Sequence, residues 1–272
     1  MKNKWMIIVG VGIVIAVIGG IALAQKKVIA APAAPVSAPL QLLLDQAAQA
    51  QEKNDQVALK NAYTKIVAEH PEYDNIEQVQ QQLGALNVNI ILSKVTTPQT
   101  VMHEVKVGDS LGKLAKQYGT TKELIKRSNG LKSDVIRVGQ DLRIWKAPFN
   151  IYIDKSQNIL LLKTGEEIVK TYRCSTGKDN STPVGHYTIV NKIEKPVWFK
   201  PGGAPIPPES PDNELGSRWM GFGEDPQYGI HGTTHPEAIG TQASAGCIRL
   251  KNEEVEELFD IVPSGTKVTI KD

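Results

Sequence analysis

Cysteine is nearly absent. Cys174 and Cys247 are the only two in 272 residues, which leaves room for one disulfide at most and excludes a scaffold built from several bridges. Excess charge is absent as well. Thirty-one Lys and Arg stand against twenty-nine Asp and Glu, a formal net charge of +2. With no Lys/Arg-rich run either, the broad basic footprint of a nucleic-acid-binding protein is excluded. A metal-ligand set is lacking too. His231 and His235 are four apart, but Gly232 and Pro236 argue against the helix that would place them on one face, and no carboxylate completes a set. No metal and no cofactor are expected.

What is present is hydrophobic material, 41% of the residues, enough for at least one core and for two or three small ones. One apolar run stands apart. Lys2 and Lys4 precede an uncharged stretch from Trp5 to Ala24, and Gln25, Lys26 and Lys27 follow it. Twenty helical residues span roughly 30 Å, the thickness of a bilayer core. Residues 1–27 therefore read as a membrane anchor or, with Ala22-Leu23-Ala24 as a cleavage site, as a signal segment. Either reading puts the rest of the chain outside the cytoplasm, in the periplasm or cell wall. The anchor reading ties it to the inner membrane through residues 5–24. Residues 28–39, rich in Pro and Ala, read as an extended tether.

Residues 40–96 show helical periodicity. Leu43, Ala47, Ala50, Val57, Ala62, Ile66, Val79, Leu83 and Leu86 recur at spacings of three, four or seven, and His70-Pro71 breaks the pattern. The stretch resembles one degenerate tetratricopeptide unit. Stable arrays of such units need three or more copies, so the expectation is a lone helical hairpin that acts as a spacer or docking surface.

Residues 101–146 read as strand, helix, helix, strand. Gly108-Asp109 makes a turn, Asp109 or Ser110 caps the first helix, and Asn129-Gly130 ends the second. The run Val105-Lys106-Val107-Gly108-Asp109-Ser110-Leu111, with Leu114-Ala115, Tyr118-Gly119, Leu124, Asn129-Gly130-Leu131 and Gly139-Gln140-Asp141-Leu142, resembles the LysM domain. That resemblance implies binding to N-acetylglucosamine-containing glycan strands such as those of peptidoglycan.

Residues 149–272 are mostly short β-prone runs. The one clear helix is Glu253 to Ile261. A Pro/Gly-rich segment from Pro196 to Gly216 has no periodicity, as in a lid or binding loop. Chemistry concentrates in Ile230-His231-Gly232-Thr233-Thr234 and Ser244-Ala245-Gly246-Cys247-Ile248-Arg249-Leu250. An ordinary thiol is only a few per cent thiolate at neutral pH, so a nucleophilic cysteine needs a base or a positive field nearby. A histidine and an arginine are close in sequence. The small residues before Cys247 let the backbone turn tightly and aim N–H groups at a developing oxyanion.

These residues resemble the L,D-transpeptidase catalytic domain, also called the YkuD domain, as does the upstream Thr182-Pro183-Val184-Gly185 run. Residues Trp198 to Trp219, with Asp212-Asn213-Glu214-Leu215-Gly216, resemble its substrate-side loop. The resemblance implies a mainly β, sandwich-like domain in which Cys247 is a thiolate nucleophile and His231 its general base. The Gly232 carbonyl orients the imidazole, and the N–H groups of Gly246 and Cys247 form the oxyanion hole. Arg249 places a substrate carboxylate or braces the loop, with Ser244 and Tyr228 as further substrate-side candidates. One departure is Ala245, where many members carry His. The implied reaction is acyl transfer from peptidoglycan stem peptides through a Cys thioester, by transpeptidation or carboxypeptidase trimming, with carbapenem-type β-lactams as inhibitors.

Four rival readings bear on the same residues. A structural bridge from Cys247 to Cys174 leaves no nucleophile; Cys174 by itself reads as core. A sortase-like enzyme keeps its His further from its Cys, and a papain-like peptidase has the opposite order. A non-catalytic wall-tethered scaffold leaves Cys247 unreactive. His70, His103, His186 and His235 read as surface or packing residues, as do Trp198, Trp219 and Met220.

Overall fold

A computed structural model describes residues 37–200 and 202–272. The expected anchor at 1–27 and the tether up to residue 36 lie outside the described residues. Among the described residues no helix is long and apolar enough to cross a membrane.

The chain begins with three helices rather than the expected two: α1 (Ala38–Glu52), α2 (Gln56–Glu69) and α3 (Ile76–Leu92). Periodicity runs through the first break unchanged, so only local chemistry reveals it. Asn54 takes a positive φ of 54°, a conformation Asn tolerates better than most residues. Asp55 then caps α2 by accepting the Ala58 N–H at 2.9 Å. The second break falls at His70-Pro71, as read. Val57, one of the periodic apolar positions, lies in the first turn of α2 and is 43% exposed.

The next module is β1 (Thr100–Glu104), α4 (Leu111–Tyr118), α5 (Lys122–Asn129) and β2 (Asp141–Trp145), with β1 antiparallel to β2 from Thr100↔Trp145 to Glu104↔Asp141. Ser110, not Asp109, caps α4. Gly119 and Gly130 end the two helices in the left-handed conformation. A small core of Val105, Leu111, Leu114, Ala115, Ile125, Leu142 and Ile144 holds the module. Each Val, Leu or Ile among them contributes roughly 1.5–3 kcal/mol by leaving water.

Eight further strands and one helix complete the architecture, with two short strands beside them. In chain order they are β3 (Phe149–Asp154), β4 (Ile159–Thr164), β5 (Glu167–Arg173), β6 (Thr176–Gly177), β7 (Gly185–Glu194), β8 (Arg218–Phe222), β9 (Gly229–His231), β10 (Gln242–Ser244), β11 (Ile248–Arg249), α6 (Asn252–Ile261) and β12 (Lys267–Lys271). All but β6 and β10 form one sheet of order β11-β9-β8-β7-β12-β3-β4-β5. The pairs β11–β9 and β12–β3 are parallel. The chain leaving β5 crosses back to the far edge, where Ser175 bridges Arg249. The sheet is thereby stitched end to end, and its outermost strand, β11, gains a second neighbour.

The modules are not beads on a string: residues 37–272 form one compact unit. Arg143 of β2 is almost fully buried, and its guanidinium donates to the carbonyls of Ile90 (3.1 Å), Ile91 (2.8 Å) and Val95 (2.7 Å). Those acceptors lie at and just beyond the end of α3, where a helix leaves carbonyls unpaired and carries partial negative charge. Burial holds the guanidinium down to a pKa of about 10, so it stays charged at neutral pH. Asn87 of α3 donates to the Val169 carbonyl of β5 at 3.0 Å. On the other side Arg127 pairs with Asp260 at 2.8 Å, and the Thr121 hydroxyl bonds the Asp260 carbonyl. The helices expected to be a spacer are instead packed against both neighbours.

Candidate active site

The parallel pairing of β9 with β11 sets Ile230 opposite Ile248 and His231 opposite Arg249. Opposite residues project to one face, and so do residues two apart on a strand. Cys247 lies in the bend just before β11, so the register carries it to the neighbourhood of β9 and His231. Arg249's charge acts on both the imidazole and the thiol. Cys247 is part-exposed and His231 is buried. Cys174 is fully buried and free, and Cys247 is also free, so no bridge seals the sulfur. Burial pushes the Cys174 thiol up to about 12, consistent with its reading as core.

His231 Nδ1 lies 2.7 Å from the Gly232 carbonyl oxygen. A carbonyl only accepts, so Nδ1 carries the proton and Nε2 keeps a lone pair. Trp219, opposite His231 on β8, stacks on the imidazole at 5.7 Å between centroids. Burial, reinforced by the Arg249 charge, pulls the His231 pKa down to about 4, against the carbonyls of Gly232 and Leu215. Burial also pushes Cys247 up to about 11; a backbone contact at Gly229 and the Arg249 charge draw it back only in part, and Asp225 adds to the rise. Both shifts favour the neutral forms at rest, whereas the sequence reading expects a thiolate; desolvation is the cause, since it penalises a charge on either group. The thiol donates instead to the Gln227 carbonyl at 3.6 Å.

The loop before Cys247 is braced from within. Ser244 is buried; its hydroxyl donates to the Cys247 carbonyl at 2.6 Å and accepts the Gly246 N–H at 3.0 Å. Two expectations change as a result. Ser244 shapes the loop rather than facing substrate, and the Gly246 N–H is already engaged. The Cys247 N–H, by contrast, has no hydrogen-bond partner among the described residues, and is the amide left to meet an oxyanion. Gly246 has φ of 127°, and a Cβ there would collide with the Tyr228 ring, so Tyr228 packs over the loop. Thr182 is a brace that the sequence reading quoted without a role. Its buried hydroxyl donates to the Gly246 carbonyl at 2.8 Å and accepts the Gly177 N–H at 2.7 Å.

Arg249 pairs with Glu214 at 2.6 Å. Of its two expected roles, the contact seen is the brace to the long loop. That loop has its own centre: buried Asn213 donates to the carbonyls of Pro196 (2.9 Å), Ile206 (3.3 Å) and Pro207 (3.2 Å). The residue that sequence reading missed is Asn252, which bonds the Thr233 N–H and carbonyl; Glu214 and Trp219 were named there without these contacts. The partners of all three lie far away along the chain, and only membership of the family-like loop offered a signal for Glu214 and Trp219. Among the described residues no cluster of His, Cys, Asp or Glu could hold a metal ion.

Comparison with known proteins converges on one family. Residues 148–270 match the L,D-transpeptidase catalytic domain and residues 103–145 the LysM domain. The YkuD protein of Bacillus licheniformis, named as an L,D-transpeptidase, is 34% identical over 62% of this chain and 98% of its own length. YkuD of Bacillus subtilis, named likewise, is 31% identical over 62% of this chain and 97% of its own. Among solved structures, L,D-transpeptidase 3 from Mycobacterium tuberculosis aligns with a TM-score of 0.40 at 17% identity, over 50% of this chain and 66% of that one. The chain belongs to the L,D-transpeptidase family, with a LysM domain ahead of the catalytic one.

Proposed function

We propose that this protein is a peptidoglycan L,D-transpeptidase in which Cys247 is the acyl-accepting nucleophile and His231 its base. The observation that supports the reading is the β9–β11 register, which pairs His231 with Arg249, two residues after the part-exposed Cys247. As a stem peptide enters, the Cys247 sulfur attacks the carbonyl between an L-centre and a D-residue while its proton passes to His231 Nε2. The oxyanion forms against the Cys247 N–H. The imidazolium then gives that proton to the leaving amine, and a thioester remains. A second amine, or water, attacks the thioester through the same base and restores the thiol. Transfer yields a cross-link; water yields a trimmed stem.

Starting from a neutral pair is compatible with this sequence, because a proton moved during attack leaves no buried charge at rest. Gly246 keeps the loop's turn, and Gly232 holds the imidazole. The LysM domain supports targeting to the cell wall, outside the cytoplasm, by binding its glycan strands. We further propose that residues 5–24 anchor the protein to the inner membrane, on the strength of their length and flanking lysines.

The direct test is intact-mass analysis after incubation with a carbapenem, whose strained amide is an acyl donor for a thiol. One adduct on the wild type and none on Cys247→Ala is the expected pattern. No adduct on either would leave a wall-binding scaffold as the better reading.

A further inference from the structure

We propose that Asn252 is a positioning residue that sets the tautomer and orientation of His231 through the peptide unit between Gly232 and Thr233. The inference rests on the reading of His231 as base. That amide has two ends. Its carbonyl, on Gly232, accepts from His231 Nδ1 at 2.7 Å. Its N–H, on Thr233, donates to Asn252 Oδ1 at 3.2 Å. Asn252 Nδ2 then donates to the next carbonyl, Thr233 O, at 3.0 Å. One carboxamide therefore grips the plane whose oxygen holds the imidazole. Hydrogen bonding at the N–H end of an amide also makes its oxygen a better acceptor, which strengthens the preference for a proton on Nδ1 and leaves Nε2 free for the thiol proton.

The same Asn252 Oδ1 accepts the Ser217 N–H at 3.0 Å, two residues after Leu215, whose carbonyl also acts on His231. Both walls of the imidazole slot are tied to one side chain. The approach is close: a Cβ on either Gly216 or Gly232 would collide with Asn252 Oδ1. Asn252 itself stands on a fixed platform, as the first residue of α6. Val255, Leu258 and Phe259 of that helix are buried in the core. At its far end half-buried Lys192 donates to the carbonyls of Phe259 (2.6 Å) and Val262 (2.7 Å). Burial lowers that ammonium to about 8. A supporting residue with a locked base is what a sub-ångström constraint on a catalytic group requires.

The experiment reads the tautomer directly, by long-range nitrogen–proton correlation NMR of His231, alongside the rate of carbapenem acylation by mass spectrometry. In the wild type we expect a pyrrole-type Nδ1 and a pyridine-type Nε2. Asn252→Ala and Asn252→Ser both withdraw the acceptor, and Ser retains a polar residue suited to a helix start. Either, when folded by circular dichroism, is expected to lose the single tautomer and to acylate on the order of tenfold to a hundredfold more slowly. Asn252→Asp keeps an acceptor for both amides and is expected to stay closer to wild type in each readout. A folded Ala or Ser variant that retains the single Nδ1–H tautomer and the wild-type rate overturns the proposal. Failure of the wild type to acylate would count against the enzymatic reading instead, and the tautomer measurement would still decide the role of Asn252.

Discussion

Two histidines in this chain show how differently one side chain can be held. His103, in the LysM module, has Nε2 at 2.9 Å from Asp109 Oδ2 and Nδ1 at 3.0 Å from the Tyr118 hydroxyl. All three partners lie within sixteen residues, and the His103 contact is the first cause of the lowered Asp109 pKa. His231, in the catalytic domain, has no carboxylate in contact. It faces two carbonyls, a tryptophan and an arginine whose charge opposes its own protonation. The first arrangement clasps a turn to a helix. The second keeps an imidazole neutral and basic at one nitrogen. The contrast teaches that a local clasp needs only neighbours in sequence, whereas a proton acceptor was assembled from β8, β9, β11 and α6.

The sharpest way to break this contrast is to exchange each histidine for an amide. His231→Asn is expected to slow acylation roughly 10²- to 10⁴-fold, the usual worth of a general base. His103→Gln should leave the acylation rate unchanged while lowering the melting temperature. Loss of acylation in the second variant would mean that the two regions are not separable.

Next in size is Arg143. Arg143→Ala removes the partner of three carbonyls at the end of α3, at a cost of roughly 3 kcal/mol or more, read as a lower urea midpoint. Cys247 labelling should survive in the protein that remains folded, because the damage lies between the helices and the LysM module.

The third effect is a pH dependence with a defined sign. His231 has a folded pKa of about 4 against an unfolded value near 6.5. Between those values the unfolded chain binds more protons, so stability falls as pH drops through that window and is unaffected above it. By pH 4 the loss reaches about 3 kcal/mol at roughly 1.4 kcal/mol per unit. The wild type should lose that much more than His231→Asn in paired urea titrations. The acid limb of kcat/KM should likewise lie well below the ordinary histidine range. A limb near 6.5 would mean that His231 is more hydrated than its burial indicates.

The smallest expected effect sharpens the comparison from the outside. Lys60 and Glu167 pair at 2.5 Å between α2 and β5, both substantially exposed. Lys60→Ala should change stability by less than about 1 kcal/mol, against the much larger loss at Arg143.

Some of this was written in the residue order. The strand–helix–helix–strand module was legible because its caps and turns are local: Ser110, Gly119, Thr121 and Gly130 act within four residues of themselves. Cys247 and His231 were legible as candidates for nucleophile and base because small residues precede the cysteine and a histidine lies close by in sequence. The break between α1 and α2 was harder to see, because Asn54 interrupts the backbone without interrupting the apolar spacing. Whether Cys247 is ionised was not legible, since a pKa depends on how much water the folded loop excludes.

Sequence by itself determined most of the elements and their caps and singled out Cys247 and His231 as the candidate pair, because those follow from each residue's own conformational and chemical preferences. Tertiary structure alone decided that the Gly246 N–H is engaged by Ser244, that Arg249 meets Glu214, that Arg143 closes the end of α3, and that Asn252 sits behind the imidazole. Those pairings join groups far apart along the chain. Which donors and acceptors remain for one another is settled only when folding removes the water that could have served them all.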